Sequence, residues 1–330
     1  MRGKDALPSR RGQFLASPWL RFAVRRASRL VLSVLVLITV SFFMIHLIPG
    51  DPIRAALGID APQALVDARR EALGLNDPIL TQYFRYLLNL ISGQWGQSLS
   101  SGEPVMQVIA SRLPASLQIA VPSFMLALLI GVPLGVTMAA LTRGGRRPRT
   151  ELTFTTTSIV IDAIPGYFLA VALVFVFGVS LGILPVAGRS GPESFIIPVL
   201  AVATAPAAMI ARIVRVEVLA VLQADHVRTA RAKRLRPWAV YLRHALPNAA
   251  TATLTIAGMM LGGMIAGTVL IEKVISWPGI GGTMATSIIE KDYPVVQGII
   301  LVLGATVLVI NLVVDVLLAV LDPRSTILER

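Results

Sequence analysis

Few residues in this chain could do covalent or metal chemistry. Its only histidines are His46, His226 and His244, scattered along the sequence, and it contains no cysteine. Disulfides, thiolate chemistry and Cys-based metal sites are thereby excluded. No G-x-x-x-x-G-K-[ST] run occurs. The nearest approach, "GGMIAGT" from Gly262 to Thr268, lacks the lysine that holds phosphates and lies in an apolar stretch. H-E-x-x-H and G-x-S-x-G are absent as well, so no zinc-hydrolase or nucleophile-elbow chemistry is written here. What remains are two carboxylates inside apolar runs, Asp162 and Asp315, and glycines spaced four apart. The second half also holds one hydrophilic block, "DHVRTARAKRLRPWAVYLRHALPNA" (225–249), with six Arg and Lys.

The elements that must position these residues are membrane helices. The chain has 330 residues, is 55% hydrophobic and only 15% charged, and has a mean hydropathy of +0.74. Such values lie outside the range of soluble domains. A spanning helix needs about 20 mainly apolar residues at 1.5 Å rise per residue. Six segments qualify, running roughly from Leu30 to Ile48, Ala115 to Leu141, Leu152 to Leu184, Ile196 to Leu222, Thr251 to Ile271 and Val295 to Leu321. The third is interrupted by "IPGY" (Ile164 to Tyr167), and Pro165 predicts a kink or two shorter pieces there. The first segment follows a basic stretch with Arg21, Arg25, Arg26 and Arg29, but it is too long for a signal-peptide core and no small-residue cleavage site follows it. It reads as a retained helix.

Charge placement sets the orientation. With the N-terminus cytoplasmic, the inside segments hold eight Lys and Arg in 1–29, four in 142–151, eight from Arg212 to Arg243, and Arg324 and Arg330. The opposite segments carry more Asp and Glu than Lys and Arg, so the positive-inside rule places both termini in the cytoplasm. The net charge of +12 is then mostly topology, which argues against a nucleic-acid partner.

Ionisable groups deep in a span are functional candidates. Asp315 shares a helix face with Asn311 and is expected to pair with an arginine such as Arg212 or Arg215. Asp162, just before Pro165, is expected to bond backbone groups that the proline frees. A proton-relay or substrate role is the alternative for both. His46 reads as a polar residue at headgroup level. The pairs Gly258/Gly262, Gly263/Gly267 and Gly131/Gly135 let helix backbones approach closely, either within this chain or at a seam with a second membrane subunit.

Within the basic block, Asp225 to Arg234 has no helix breaker, and Pro237 suits the first turn of a second short helix. On that helix Trp238, Leu242, Ala245 and Leu246 make one apolar face. This two-helix loop resembles the cytoplasmic coupling loop, or EAA region, of ABC importer permeases. "DHVRTARAKRL" (Asp225 to Leu235) and "LRHALPNA" (Leu242 to Ala249) carry the likeness. The surrounding chain resembles the B-type subunit of the dipeptide, oligopeptide and nickel permease family. Ordered landmarks support this: "IPGDP" (Ile48 to Pro52), "LGLNDPILTQYFRYL" (Leu73 to Leu87), "GQWGQSL" (Gly93 to Leu99), "RLPASL" (Arg112 to Leu117), "DYPVVQG" (Asp292 to Gly298) and "NLVVDVLLAVLDPR" (Asn311 to Arg324).

The resemblance implies an all-α, polytopic membrane protein of six transmembrane helices with the type I ABC importer permease fold. Its divisions would be a cytoplasmic segment (1–29), a first span (30–48), an extracytoplasmic loop (49–114), a five-span core (115–322) holding the coupling loop (223–250), and a cytoplasmic tail (323–330). It also implies a bacterial inner-membrane location, a homologous second permease, two cytoplasmic ATPase domains and an extracytoplasmic binding protein. No catalytic residue, cofactor or metal is expected on this chain, since ATP and Mg would sit on the partners. The docking set carried over is Asp225, Val227, Arg228, Thr229, Ala230, Ala232, Lys233, Leu235, Leu246 and Pro247. Gly258, Gly262, Gly263, Gly267, Asp162 and Asp315 would serve packing or the passage. Trp277, Pro278 and Gly279, in "EKVISWPGIGGTMATSIIEKDYP", would belong to an outer gate, with Trp277 as an interfacial anchor. The expected substrates are peptides or related small solutes. A self-sufficient ion-coupled carrier is the alternative, opposed by the shortage of buried ionisable groups and of internal repeats.

One position departs from the family pattern. Arg234 stands where the loop carries glycine, which adopts positive φ at little cost. The expectation is a turn built differently, around Arg236 and Pro237, or less typical docking.

Overall fold

The computed structural model describes residues 18–47, 52–58, 60–72 and 74–321. Residues 1–17, most of "IPGDP" and the tail from 322 lie outside the described residues, as does the side chain of His46. Among the described residues there are helices and no strand beyond one isolated bridge, Gln97 to Pro104. In chain order the helices are α1 (Pro18–Leu47), α2 (Pro52–Leu57), α3 (Gln63–Ala72), α4 (Ile79–Ile91), α5 (Val105–Thr142), α6 (Pro148–Ala163), α7 (Gly166–Leu173), α8 (Ile196–Val221), α9 (Asp225–Ala232), α10 (Leu246–Val274), α11 (Ile280–Ile289) and α12 (Tyr293–Leu321).

Five of these, α1, α5, α8, α10 and α12, are long and apolar enough to cross a membrane. The sixth span is broken. α6 and the stretch Gly166–Ser180 meet at an angle of 88°. Ile164 ends α6 in an extended conformation, the state that a following proline imposes, and Pro165 starts α7. The interruption foreseen at "IPGY" is therefore a full corner. α5 starts at Val105, ten residues before the predicted second span, and passes Pro114, Pro122 and Pro133 without breaking. Ser123 and Thr137 hydroxyls donate to the carbonyls four residues back, Ile119 and Pro133, both at 2.7 Å, which satisfies each hydroxyl within the apolar helix.

The bundle is held by close approach of small residues. A Cβ on Gly131 would lie 2.8 Å from the Ala207 carbonyl oxygen, and one on Gly135 would lie 2.6 Å from that of Ala211. The α5/α8 seam is thus packed backbone to backbone, within this chain. On α10, Gly258 and Gly262 meet Val314 and Val307 of α12, whereas Gly263 and Gly267 meet nothing within 4 Å. The two overlapping glycine pairs serve different faces.

α12 also packs antiparallel on α1. Ser41 and Gln297 exchange bonds with one another's carbonyls, Ser41 Oγ to Gln297 O at 3.4 Å and Gln297 Nε2 to Ser41 O at 3.3 Å. Near the other end Arg26 pairs with Asp315. This corrects the expected partner of Asp315: Arg212 is taken by Asp162 at 2.6 Å and Arg215 by Glu151 at 2.6 Å. Asp162 accordingly bonds a guanidinium rather than the backbone freed by Pro165. Arg215, buried, also donates to Thr142 Oγ1 at 3.0 Å, tying α8 to both α5 and α6.

Candidate functional site

Two constructions stand at the two ends of α10. At its start is the basic loop. α9 begins with Asp225, which pairs with Arg228 three residues on, while Thr229 Oγ1 donates to the Asp225 carbonyl at 3.0 Å. Val227 and Ala230 are buried, and Val227 joins the core with Val218 and Leu222 of the α8 end. Asp225, Arg228, Thr229, Ala232, Lys233, Leu235 and Pro247 are exposed, and Leu246 is half-buried. The inherited docking set therefore divides into two buried residues that seat α9 and a majority that face outward.

The second short helix is not separate. A helical turn (Pro237–Ala239) and a π-helical stretch (Val240–Ala245) run without a break into α10. Its apolar face is only in part the one expected from spacing. Val240, Ala245 and Ala249 are buried, whereas Trp238 and Leu242 are 60% and 52% exposed. The wider π turn shifts the register by one residue, so Trp238 and Leu242 miss the core while Ala245 reaches it. Leu235 is exposed as well, and the exposed Lys233, Arg234, Arg236 and Arg243 lie near these apolar residues in the sequence. Between the helices Arg234 itself adopts φ +55°, the conformation glycine would take. The turn is thus built in the family's way, with an arginine in a left-handed backbone, and not around Arg236 and Pro237.

At the far end, α10 stops at Val274 and the chain turns through Ser276 (φ +52°), Trp277, Pro278 and Gly279 into α11. Glu272, in the last turn of α10, is fully buried. Its Oε2 accepts the backbone N–H groups of Gly281 at 2.8 Å and Gly282 at 3.1 Å, in the first turn of α11. A carboxylate is favoured at the positive end of a helix, where N–H groups lack partners. Ser116 Oγ accepts the Ile280 N–H at 2.8 Å, and Trp277 Nε1 donates to the Ala115 carbonyl at 2.9 Å. Gly279 is required here because a Cβ would overlap the Glu272 carboxylate and lie 2.6 Å from Ser116 Oγ.

Trp277 is 3% exposed and meets Phe195 edge-on at 4.8 Å, so it is a core residue and not the interfacial anchor expected of it. A polar cavity of about 470 Å³ opens beside this turn, lined by Arg112, Glu272, Lys273, Thr283 and Glu290 among others. Asp292, 1% exposed, closes its rim by accepting from Ser98 Oγ, Ser100 Oγ and the Leu99 N–H. Neither Glu272 nor Asp292 was singled out in the sequence, where they stand only within quoted stretches and as outer-side charge. The signal available was a carboxylate placed a few residues before a Pro-Gly-Ile-Gly-Gly run, an anion written next to a helix start.

Between the ends, Gly263 and Gly267 line a second hollow of about 310 Å³, with Asp162, Gly166, Met260 and Met264. Among the inherited passage residues, the structure thus brings Asp162, Gly263 and Gly267 together. It sets Asp315, Gly258 and Gly262 apart on the α12 side.

A helical bundle with a broken span, a basic loop and a short polar-anchored helix between its last two spans has the architecture of a polytopic membrane protein. The solved inward-facing MetNI methionine ABC transporter shares this fold, with a TM-score of 0.57, 20% identity, and coverage of 67% of this chain and 99% of that one. The sequence profile described as binding-protein-dependent transport system inner membrane component matches residues 131–327, and its N-terminal companion matches 19–120. The glutathione transport system permease protein GsiC of Pectobacterium atrosepticum is 35% identical over 304 residues, spanning 92% of this chain and 98% of its own length. Its counterpart in Escherichia coli K12 is 34% identical over the same span. The chain belongs to the inner-membrane permeases of binding-protein-dependent ABC importers, in the dipeptide and oligopeptide group.

Proposed function

We propose that this chain forms half of the passage of an ATP-driven importer, with both termini in the cytoplasm. A homologous permease supplies the other half, two ABC ATPase domains bind and hydrolyse ATP with Mg²⁺, and an extracytoplasmic binding protein delivers the solute. The substrates are small peptides, glutathione among them. The substrate reading is supported by the glutathione permeases that match nearly the whole chain.

The observation that carries the proposal is the continuity of the loop with α10. An exposed apolar patch, Leu235, Trp238 and Leu242, edged by Arg228, Lys233 and Arg236, suits a cleft on a partner protein. The helix leaving it carries the open glycine face, Gly263 and Gly267, which fits a seam with the second permease, and ends in the turn locked by Glu272. Closure of the ATPases would tilt α10 and with it both the seam and the outer turn. Trp277, Pro278 and Gly279 then serve as the framework of the outer gate. Asp162, held by Arg212 beside the glycine hollow, is the ionisable group nearest the passage.

The test is assembly and transport. Tagged permease pair should copurify its ATPases and, with the binding protein, import glutathione at the expense of ATP in proteoliposomes. Trp238→Ala combined with Leu242→Ser is expected to abolish copurification while leaving the permease folded. Uptake of glutathione by the permease chains alone, driven by an ion gradient and without ATP, would overturn the proposal.

A further inference from the structure

α4 (Ile79–Ile91) lies beside the end of α1 that is opposite the basic loop, and it presents three faces. One packs on α1: the Tyr83 hydroxyl shares a hydrogen bond with Thr39 Oγ1 at 2.8 Å, and its ring meets Phe42 edge-on at 5.2 Å. A second face is polar. Gln82 Nε2 donates to the Asp77 carbonyl at 2.8 Å, and Arg85 pairs with Asp77 at 2.5 Å, with Asn89 one turn further along. The third face consists of Leu80, Phe84, Leu88 and Ile91, spaced i, i+4, i+8 and i+11, and they are 66%, 60%, 67% and 85% exposed. The stripe contains no polar side chain, and a contiguous apolar surface of this kind marks an interaction site.

Two observations name what covers it. First, the stripe continues the exposed surface of a spanning helix. Phe84 meets Tyr83 at 5.9 Å, Tyr83 stacks on Phe43 at 6.4 Å, and Phe43 extends the exposed row Val36 and Val40 of α1. That row belongs to a spanning helix, whose exposed side chains meet hydrocarbon wherever no other chain covers them. Second, α4 has 13 residues, about 20 Å of helix, which is too short to cross a bilayer. Its apolar and polar residues are cleanly separated, the pattern of a helix lying along an interface.

We infer that α4 is an interfacial helix, with Leu80, Phe84, Leu88 and Ile91 sunk among the acyl chains of the leaflet opposite the basic loop. Its polar face, and the cavity of about 470 Å³ behind it that is lined by Arg69, Tyr86, Gln94 and Tyr293, then sit at headgroup level. The helix ties the segment between the first two spans to the membrane surface. It thereby fixes the height of the 98–100 loop that Asp292 holds.

The chain has no cysteine, so single-cysteine nitroxide labels can be placed on it uniquely. The assembled permease–ATPase complex, with accessible cysteines removed from its other chains, is reconstituted in phospholipid nanodiscs. Labels at Leu88→Cys, Ile91→Cys and Asn89→Cys are compared by power saturation with oxygen and a water-soluble nickel chelate. The expected oxygen-to-chelate collision ratio at 88 and 91 is at least tenfold that at 89. A ratio at 88 and 91 equal to that at 89 would place the stripe in water, and shielding from both reagents would place it against a partner protein. Either result overturns the inference. Ile91, the more exposed position, decides the matter if labelling at Leu88 lowers the yield of complex.

Discussion

At the loop end of α10, apolar side chains face outward: Leu235, Trp238 and Leu242 stand exposed among arginines, while the backbone beneath them is seated by Val227 and Ala230. At the other end polar side chains face inward, with Glu272, Ser116 and the Trp277 indole bonded to buried backbone. Under the proposed docking, the first surface is completed only by a partner. The second is nearly complete in itself and encodes a shape. One helix therefore joins a surface whose worth lies in binding to a turn whose worth lies in rigidity. Substitutions at the two ends should fail in different ways: loss of partners at one, loss of fold at the other.

The largest effect is expected at Glu272. Glu272→Ala abandons one buried and one half-buried N–H donor, the buried one costing about 1–3 kcal/mol, and should abolish membrane yield of the permease. Glu272→Gln keeps an acceptor oxygen for Gly281 and Gly282, so its complex should be recovered with a lowered melting temperature. Equal yields for the Ala and Gln variants would break the contrast. Next is Gly135→Val, where the added Cβ would meet the Ala211 carbonyl at 2.6 Å. It should cost about 1–3 kcal/mol or more in thermal unfolding, since backbone cannot step aside.

Gly263→Ala, with open space around it, should leave the melting of the isolated permease unchanged. If the seam proposal is right, it instead weakens pairing with the sister chain, which crosslinking or native mass spectrometry would register. Trp238→Ala is expected to leave stability within about 0.5 kcal/mol while removing ATPase copurification. A large fall in melting temperature there would mean the loop is core. The smallest effect is expected for Arg234→Gly. Relief of a left-handed arginine is worth on the order of 1 kcal/mol locally, and ATPase coupling should stay equal or improve. A severe transport defect would show that the guanidinium makes a specific contact.

The same contrast explains what was legible in the sequence. The spans, the corner at Pro165 and the loop were readable because each is written in local terms: hydropathy over about 20 residues, a proline, and a motif of fixed spacing. The positive φ at position 234 was foreseeable from the family pattern. What the sequence suggested instead, a different turn, underrated how strongly the flanking helices impose their geometry on one residue. Glu272 and Asp292 were hidden because their meaning is non-local. An outer-side carboxylate looks like any other surface charge until the fold brings Gly281 or Ser98 to it. The partner of Asp315 was hidden for the same reason, since Arg26 lies almost a full chain length away. Trp277 was misassigned because aromatic residues near a span end usually sit at the interface. Only the reversal at Pro278 turns this one inward. Trp238 and Leu242 went astray through a π-helical stretch that no hydrophobic pattern announces.

α10 itself has a consequence in leverage. It has 29 residues without a break, about 43 Å of helix, and its start is welded to the loop rather than hinged to it. A rod of that length turned through about 10° carries its far tip about 7 Å, roughly the diameter of a small peptide backbone. Under the proposed docking, a modest swivel at the loop would be amplified, by arm length alone, into a displacement of that size at the far end.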